Sequence, residues 1–473
     1  MNDENTTVHA ERLATTDVDG NRIYVHPEDV RGKWRDRRTL LYWTLVLIYF
    51  TLPWIHYGGK QIILLDIFNR EFVFFGRTFF SHDSPLVFFL FLIFVLIFGF
   101  ITAQWGRIWC GWACPQTVFI DLVYRRIEKF IEGNSRKRRS LDKEPMSVSK
   151  FFKKVAKWTL FTLVSLHLAH TFLGFFVGTR NLFFISLNPP TEHMTLFIIM
   201  LTTTGIILFD FGWFREQFCI VACPYGRMQS VMMDEHSLVV AYDVKRGEPR
   251  RNTVPRSDEA DCIDCNHCVK VCPTGIDIRK GTQLECISCT QCIDACDEIM
   301  GKIGKPEGLI RYESLAEIEG IPRKTVRPRP MIYATALLIT VLAFGHALHS
   351  RNSLKVQFIR SSQSAFQDIK RPDGSREIVN HYKVSIYYNG EQNYKLFFVP
   401  KDKYREERLR IVSRRIPAPI HPGKRKTIDI FFRFKKDVLE MGRKTLKVHI
   451  LTGDNLESAK FLREEEVKLV GPF

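Results

Sequence analysis

The chain has 473 residues, of which 45% are hydrophobic and 13% aromatic, and Lys plus Arg exceed Asp plus Glu by 17. Such a balance suits nucleic acid, an anionic membrane surface or loops retained on one side of a bilayer. Long apolar runs decide for the membrane, and the basic residues form no recognition motif, which argues against nucleic acid.

Residues 1–30 are polar and acidic, without the apolar core of a cleavable signal peptide. Arg31, Lys33, Arg35, Arg37 and Arg38 then precede an apolar run from Leu40 to Ile55. Positive charge ahead of a first span holds the N-terminus in the cytoplasm. Further runs, Pro85–Ala103, Trp158–Val177, Met194–Phe211 and Met331–Leu348, approach the ~20 residues that a spanning helix needs. The 107–157 loop, with Arg136-Lys137-Arg138-Arg139, and the 214–329 segment are basic and are expected inside. The Arg136–Arg139 run reads most simply as a topology signal facing anionic lipid. The fifth span then exports the tail.

Span two ends in Arg107-Ile-Trp-Cys110-Gly-Trp-Ala-Cys114-Pro115, and span four in Arg215-Glu-Gln-Phe-Cys219-Ile-Val-Ala-Cys223-Pro224. This repeat, C-x3-C-P, would put two thiols on one helix face at the cytoplasmic end of each span. Soft thiolates select Cu(I), zinc or iron–sulfur centres, and Met228, Met232 and Met233 could add thioethers. Small helix-packing residues and a disulfide within one motif are the other readings of these cysteines. His167 and His170 share a face of span three, as candidate haem or copper ligands or as neutral hydrogen-bonding groups. His346 and His349 read as interfacial.

The remaining eight cysteines form two runs of C-x2-C-x2-C-x3-C between Cys262 and Cys296. In such runs three thiolates take one cluster and the fourth reaches the other. Cys262, Cys265, Cys268 and Cys296 are thus assigned to one [4Fe–4S] cluster, and Cys272, Cys286, Cys289 and Cys292 to a second. Zinc sites usually pair their ligands rather than grouping them three plus one, and disulfides do not suit a reducing compartment. Pro273 follows Cys272, whereas Asp297 follows Cys296, so the second run lacks the usual proline. His267, inside the first run, is expected to tune its cluster rather than to ligate.

From about Ser350 the composition changes. Alternating runs at Tyr382–Tyr388, Tyr394–Val399, Thr427–Phe434 and Thr445–Leu451 are separated by Pro372-Asp373-Gly374, Asn389-Gly390, Pro422-Gly423 and Gly453-Asp454. About seven short strands of this kind predict an immunoglobulin-type sandwich, a docking module by default.

The architecture expected is a multi-domain chain. It comprises a cytoplasmic tail (1–38), a four-span helical membrane domain (39–235), an inserted α+β two-cluster ferredoxin-like domain (236–325), a fifth helix (331–349) and an all-β immunoglobulin-like sandwich (350–473).

The sequence resembles the cytochrome c oxidase accessory protein family, known as CcoG, FixG or RdxA, over almost its full length. The likeness is carried by W-C-G-W-A-C-P-Q-T-V at 109–118, F-R-E-Q-F-C-I-V-A-C-P-Y at 214–225, Y-D-V-K-R-G-E-P-R at 242–250, C-P-T-G-I-D-I-R at 272–279, E-C-I-S-C-T-Q-C-I-D-A-C-D at 285–297 and G-L-I-R-Y at 308–312. It implies a multi-pass protein of the bacterial inner membrane, with the ferredoxin domain cytoplasmic and the C-terminal domain periplasmic. It also implies a cupric oxidoreductase, reducing Cu(II) to Cu(I) for a cbb3-type oxidase, with copper as substrate or transient ligand at Cys110, Cys114, Cys219 and Cys223. The partners implied are the lipid bilayer, a cytoplasmic electron donor, and copper-delivery and oxidase-assembly factors; a homo-oligomer is compatible with the reading. Two rival readings are a quinone-linked electron-transfer subunit similar to the quinol dehydrogenase of periplasmic nitrate reductase, and a non-enzymatic redox sensor or scaffold.

Overall fold

The computed structural model describes Thr15 and residues 22–472, apart from 69–70, 81–83, 251–259, 351–353, 362–365, 371–375, 389–392, 402–407, 422–424, 454 and 457. Most of the acidic N-terminal tail and the turn signals at 372–374, 389–390, 422–423 and Asp454 lie outside the described residues. The chain divides into two units, Met1–His346 and Ala347–Phe473.

Four helical segments of the chain are long and apolar enough to cross a membrane: Pro85–Trp105, Val148–Val177, Pro190–Phe214 and Pro328–His349. They contain α2 (Ser84–Trp105), α3 (Val148–Val177), α4 (Met194–Ile207, continued by a π-turn over Leu208–Phe214) and α6 (Pro328–His349). The first expected span differs. Its helix, α1, runs from Lys33 to Thr51 and gives way to a 3₁₀ turn at Leu52–Trp54. It starts ahead of the apolar run because Asp294, on α5 (Gln291–Lys302), accepts hydrogen bonds from the Trp34 (3.1 Å) and Arg35 (2.7 Å) amides. The basic flank is thereby drawn into the helix, and Arg38 is fully buried. That charge keeps α1 out of the group long and apolar enough to cross.

Successive helices run in alternating directions. At one end, Tyr312 donates to the carbonyl of Trp105, where α2 finishes, and Arg327 pairs with Asp234 (2.8 Å) just before α6 begins. At the other end, Gln61 Nε2 donates to the Gly174 carbonyl of α3 at 3.2 Å, beside a small antiparallel sheet over residues 63–80. Gly106 (φ 60) ends α2 in the left-handed turn that glycine adopts without penalty.

The cysteine runs lie between β1 (Leu238–Tyr242) and β2 (Ile310–Ser314), which pair antiparallel with Val240 opposite Tyr312. Val240, Ile276, Ile278, Ile293, Leu309 and Ile310 form the core that surrounds the cysteines.

The second unit contains two antiparallel sheets. One has the order β7–β9–β5–β3, with β4 also on β5. Its strands are β3 (Leu354–Arg360), β4 (Gln367–Lys370), β5 (Arg376–Tyr388), β7 (Leu409–Val412) and β9 (Arg425–Phe434). The other has the order β8–β6–β10–β11, with β6 (Tyr394–Pro400), β8 (Ala418–Ile420), β10 (Arg443–Thr452) and β11 (Lys460–Val470). Val384, Ile430 and Phe432 from one sheet meet Leu396, Val448 and Ile450 from the other in a single core. The described residues thus hold nine strands where about seven were expected. The β4 strand is exposed throughout and β8 has three residues, so neither carries an alternating signature.

Candidate functional site

Each cysteine run becomes a tight loop through residues in left-handed backbone. Asp264 (φ 58) and Asn266 (φ 57) flank Cys265, and Ser288 (φ 53) and Thr290 (φ 62) flank Cys289 in the same places. This conformation is costly for residues with side chains and is tolerated best by Asp and Asn. In the first loop Arg279 holds both: its guanidinium pairs with Asp264, donates to Asn266 Oδ1 at 2.5 Å, and reaches Asp277 at 2.7 Å. In the second, the Cys289 carbonyl accepts from Thr290 Oγ1 (2.7 Å) and from Arg38 (2.6 Å).

The loops enclose two cavities. Cys262, Cys265, Cys268 and Cys296 line one. Cys272, Cys286, Cys289 and Cys292 line another, which Cys268 also reaches. The fourth cysteine of each run therefore stands with the other run's three. Among the described residues no three His, Cys, Asp or Glu side chains close on a single-ion position; these thiols ring a volume, as a polynuclear cluster requires. Burial pushes the Cys268, Cys286 and Cys296 thiols up to about 12 and raises Cys272 and Cys292, with neighbouring cysteines adding to the rise. Thiolates crowded into such cavities need cationic charge at the centre, so the donor sets fit iron–sulfur clusters.

The two C-x3-C-P motifs meet elsewhere. Cys110 lies in a short helix, Ile108–Trp112, whereas Cys114 is extended (φ −63, ψ 126) ahead of the helix Pro115–Phe119. Cys219 lies in a π-turn, Phe218–Ala222, and Cys223 is likewise extended (φ −74, ψ 113) ahead of Pro224–Met232. The expected single helix face is thus replaced by a junction. Proline steers its predecessor out of the helical region and suits the first position of a new helix. All four thiols nevertheless line one cavity, together with Met228, Met232 and Gln229. Met233 lines a different cavity, with Arg107. Burial pushes Cys110 up to about 12 and raises Cys219 and Cys114, the other thiols adding to it; the Gln116 and Thr117 amides oppose the rise at Cys114.

The thiol cavity and the second cluster cavity share a wall. Cys286 lines both. Gly111, between the thiols of the first motif, packs against the second cluster loop so closely that a Cβ there would lie 2.5 Å from the Ile287 oxygen and 2.8 Å from that of Ser288. The Gly111 carbonyl accepts from Tyr42 Oη at 2.5 Å. Arg107 Nη1 donates to the carbonyls of Leu284 and Cys286, the latter at 3.2 Å. Arg38 ties α1 to the same loop and to Asp121 Oδ2 (3.0 Å). Burial works to raise the Asp121 carboxyl, yet Arg38, Arg35 and Arg125 hold it at about 2.

Other sequence candidates have structural partners. His167 stacks on Phe50 (centroids 4.8 Å apart), and His170 Nε2 lies 3.2 Å from Ser186 Oγ, so the two rings face different neighbours. His267 lines the first cluster cavity. Within the 136–139 run, Arg138 is buried against Glu128 (3.0 Å) rather than turned to lipid, because its helix, Ser135–Lys143, brings one of the four basic residues inward. Arg38, Arg107 and Gly111 escaped the sequence reading. Basic residues at span ends look alike there, whether they face solvent or a carbonyl.

A helical membrane protein carrying two cavities, each ringed by four thiols, defines the class: a membrane iron–sulfur protein. A profile described as a 4Fe-4S dicluster domain matches residues 214–315, and one described as a 4Fe-4S binding domain matches residues 86–138. Protein RdxB of Cereibacter sphaeroides is 39% identical over 390 residues, covering 79% of this chain and 80% of that protein. The nitrogen fixation protein FixG of Rhizobium meliloti is 38% identical over 313 residues, 63% of this chain and 58% of FixG. Protein RdxA of Cereibacter sphaeroides is 37% identical over 320 residues, 65% of this chain and 66% of RdxA. The chain belongs to the family of RdxA, RdxB and FixG.

Proposed function

We propose that the chain reduces Cu(II) to Cu(I) at the four-thiol cavity, supplying copper for assembly of a cbb3-type cytochrome c oxidase. The observation that carries this reading is the shared wall: Cys286 lines both the second cluster cavity and the cavity of Cys110, Cys114, Cys219 and Cys223. Two [4Fe–4S] clusters, held by the cysteine sets assigned above, supply electrons one at a time when bound, the count that Cu(II) to Cu(I) requires. Four thiols with the thioethers of Met228 and Met232 form a soft donor set, which favours Cu(I) over Cu(II).

The same reading makes the protein a multi-pass resident of the bacterial inner membrane. The basic 107–157 and 214–329 segments support a cytoplasmic cluster domain and a periplasmic tail. The tail, read as immunoglobulin-like, docks copper-delivery or oxidase-assembly factors, and a cytoplasmic donor replenishes electrons.

The test uses anaerobically purified full chain in detergent, chemically reduced and mixed with Cu(II), with Cu(I) captured by a specific chelator. Cu(I) should form in proportion to the electrons stored. Formation should be lost in Cys110→Ser/Cys114→Ser and Cys219→Ser/Cys223→Ser while iron content stays at the wild-type value. Cu(I) formation that ignores both double substitutions would move copper away from this cavity.

A quinone-linked reading has one observation in its favour: Phe91, Phe94 and Phe98 wall the same cavity, an apolar aromatic surface suited to a quinone ring. Quinol-driven reduction of the clusters, surviving loss of all four thiols, would favour it over copper.

A further inference from the structure

The boundary between the helices and the cluster domain is crowded with buried cations, and nearly all have an acid. Arg38 pairs with Asp121, Arg125 with Glu216 (2.5 Å), and Arg138 and Arg215 with Glu128 (3.0 and 2.6 Å). Arg279 pairs with Asp277 (2.7 Å) and Arg327 with Asp234 (2.8 Å). Arg107 differs. It is 6% exposed, its hydrogen bonds go to the Leu284 and Cys286 carbonyls, and among the described residues it forms no ion pair.

A buried charge without a counter-charge is costly, and folds retain one where an anion stands beside it. The guanidinium sits against the backbone of Cys286 and three residues before Cys110 in the chain. Of the anionic groups that face it, Cys286, Cys110 and the Glu285 carboxylate, Cys286 acts most strongly, and it lines the cavity of the second, thiolate-ligated cluster.

We infer that Arg107 is the cationic partner of the cluster held by Cys272, Cys286, Cys289 and Cys292, a positioning residue that keeps this cluster's reduction potential above the value a neutral side chain would allow. Reduction adds one electron to an already anionic centre, so a fixed cation stabilises the reduced form more than the oxidised form. The guanidinium that lines the first cluster's cavity, Arg279, is by contrast paired with Asp264 and Asp277. This inference rests on the two-cluster reading and is independent of copper as the substrate.

The test is an EPR-monitored redox titration of the anaerobic full chain in detergent, without copper, comparing wild type with Arg107→Gln and Arg107→Lys. Cys289→Ser, which alters ligation of the second cluster alone, identifies that cluster's signal. In Arg107→Gln the second cluster's midpoint should move to lower potential while the first stays in place. Arg107→Lys, which keeps the charge, should return the midpoint toward the wild-type value. Unmoved midpoints in the Gln variant would overturn the inference, as would a Lys variant shifted as far as the Gln variant. Should the Gln variant lose iron, the Lys variant decides alone: a wild-type midpoint supports the charge, and a lowered one refutes it. Because no copper is present, failure of the copper reading leaves these outcomes unchanged.

Discussion

Replacing Gly111 by Ala tests whether the thiol motif and the second cluster loop form one packed piece. The added methyl would meet the Ile287 oxygen at 2.5 Å, the Ser288 oxygen at 2.8 Å and the Cys289 Cα at 2.9 Å. All three are backbone atoms, so no side chain can swing aside, and the loop itself must retreat. Overpacking of this kind costs about 1–3 kcal/mol. Gly111 lies inside the helix Ile108–Trp112, and its φ is not among the positive ones. At an unconstrained helical site alanine would instead stabilise by about 1 kcal/mol. The two accounts thus differ in sign. The assay is iron and sulfide per chain, the EPR spectrum of reduced protein, and the thermal midpoint in detergent. We expect a lower midpoint and perturbation or loss of the second cluster's signal, with the first retained. A midpoint raised above wild type, with both signals unchanged, would refute direct packing.

Three further outcomes follow from the same geometry. Glu128 is buried, which pushes its carboxyl up, but Arg215, Lys157 and Arg138 hold it at about 2 against an ordinary 4.5. Its contribution, roughly 3 kcal/mol, is present above about pH 4.5 and lost as pH falls toward 2. Glu128→Gln should therefore lower the thermal midpoint at pH 7 and flatten the loss of stability across that acid window. Asp294→Ala removes the acceptor for the Trp34 and Arg35 amides; a loss of about 1–2 kcal/mol is expected, with faster amide exchange confined first to the start of α1. Stripping iron with a chelator should raise amide exchange across 262–302 far more than in the tail strands, since the cluster cavities lose their centres and the tail contains no cysteine. Uniform exchange in both units after iron removal would contradict that assignment of the cysteines.

The cysteine spacing made the cluster domain legible, because ligand order along a loop is a local property. Four apolar runs were legible for the same reason, being longer than any soluble helix face needs. What could not be read was where the basic residues go. Arg38 is one of five cations before the first apolar run, yet it alone among them is fully buried and donates to the Cys289 carbonyl. Nothing local distinguishes it from Arg37; the difference lies in a loop some 250 residues away. Likewise β4 and β8 depend on pairing with β5 and β6 rather than on their own pattern.

The C-x3-C-P repeat shows why a correct motif can imply the wrong geometry and still the right neighbourhood. A continuous helix would place each pair of thiols on one face, stacked a turn apart. Proline after the second cysteine forbids that continuation, and Cys114 and Cys223 become the residues before a new helix. The chain changes direction at each such residue, so the two thiols of a motif approach the cavity from different helical segments. Two motifs built alike bring four thiols to one volume, and the bends leave room for the Ile287–Cys289 loop to press against Gly111. Substituting Pro115 by Ala should let the helix run on through Cys114 and draw this thiol out of the cavity. Crosslinking of Cys114 to Cys223 by a short bis-thiol reagent in the anaerobic protein should then fall relative to wild type. Equal crosslinking in both would mean that the junction is set by packing from Cys286 and its neighbours, and that proline merely accommodates it.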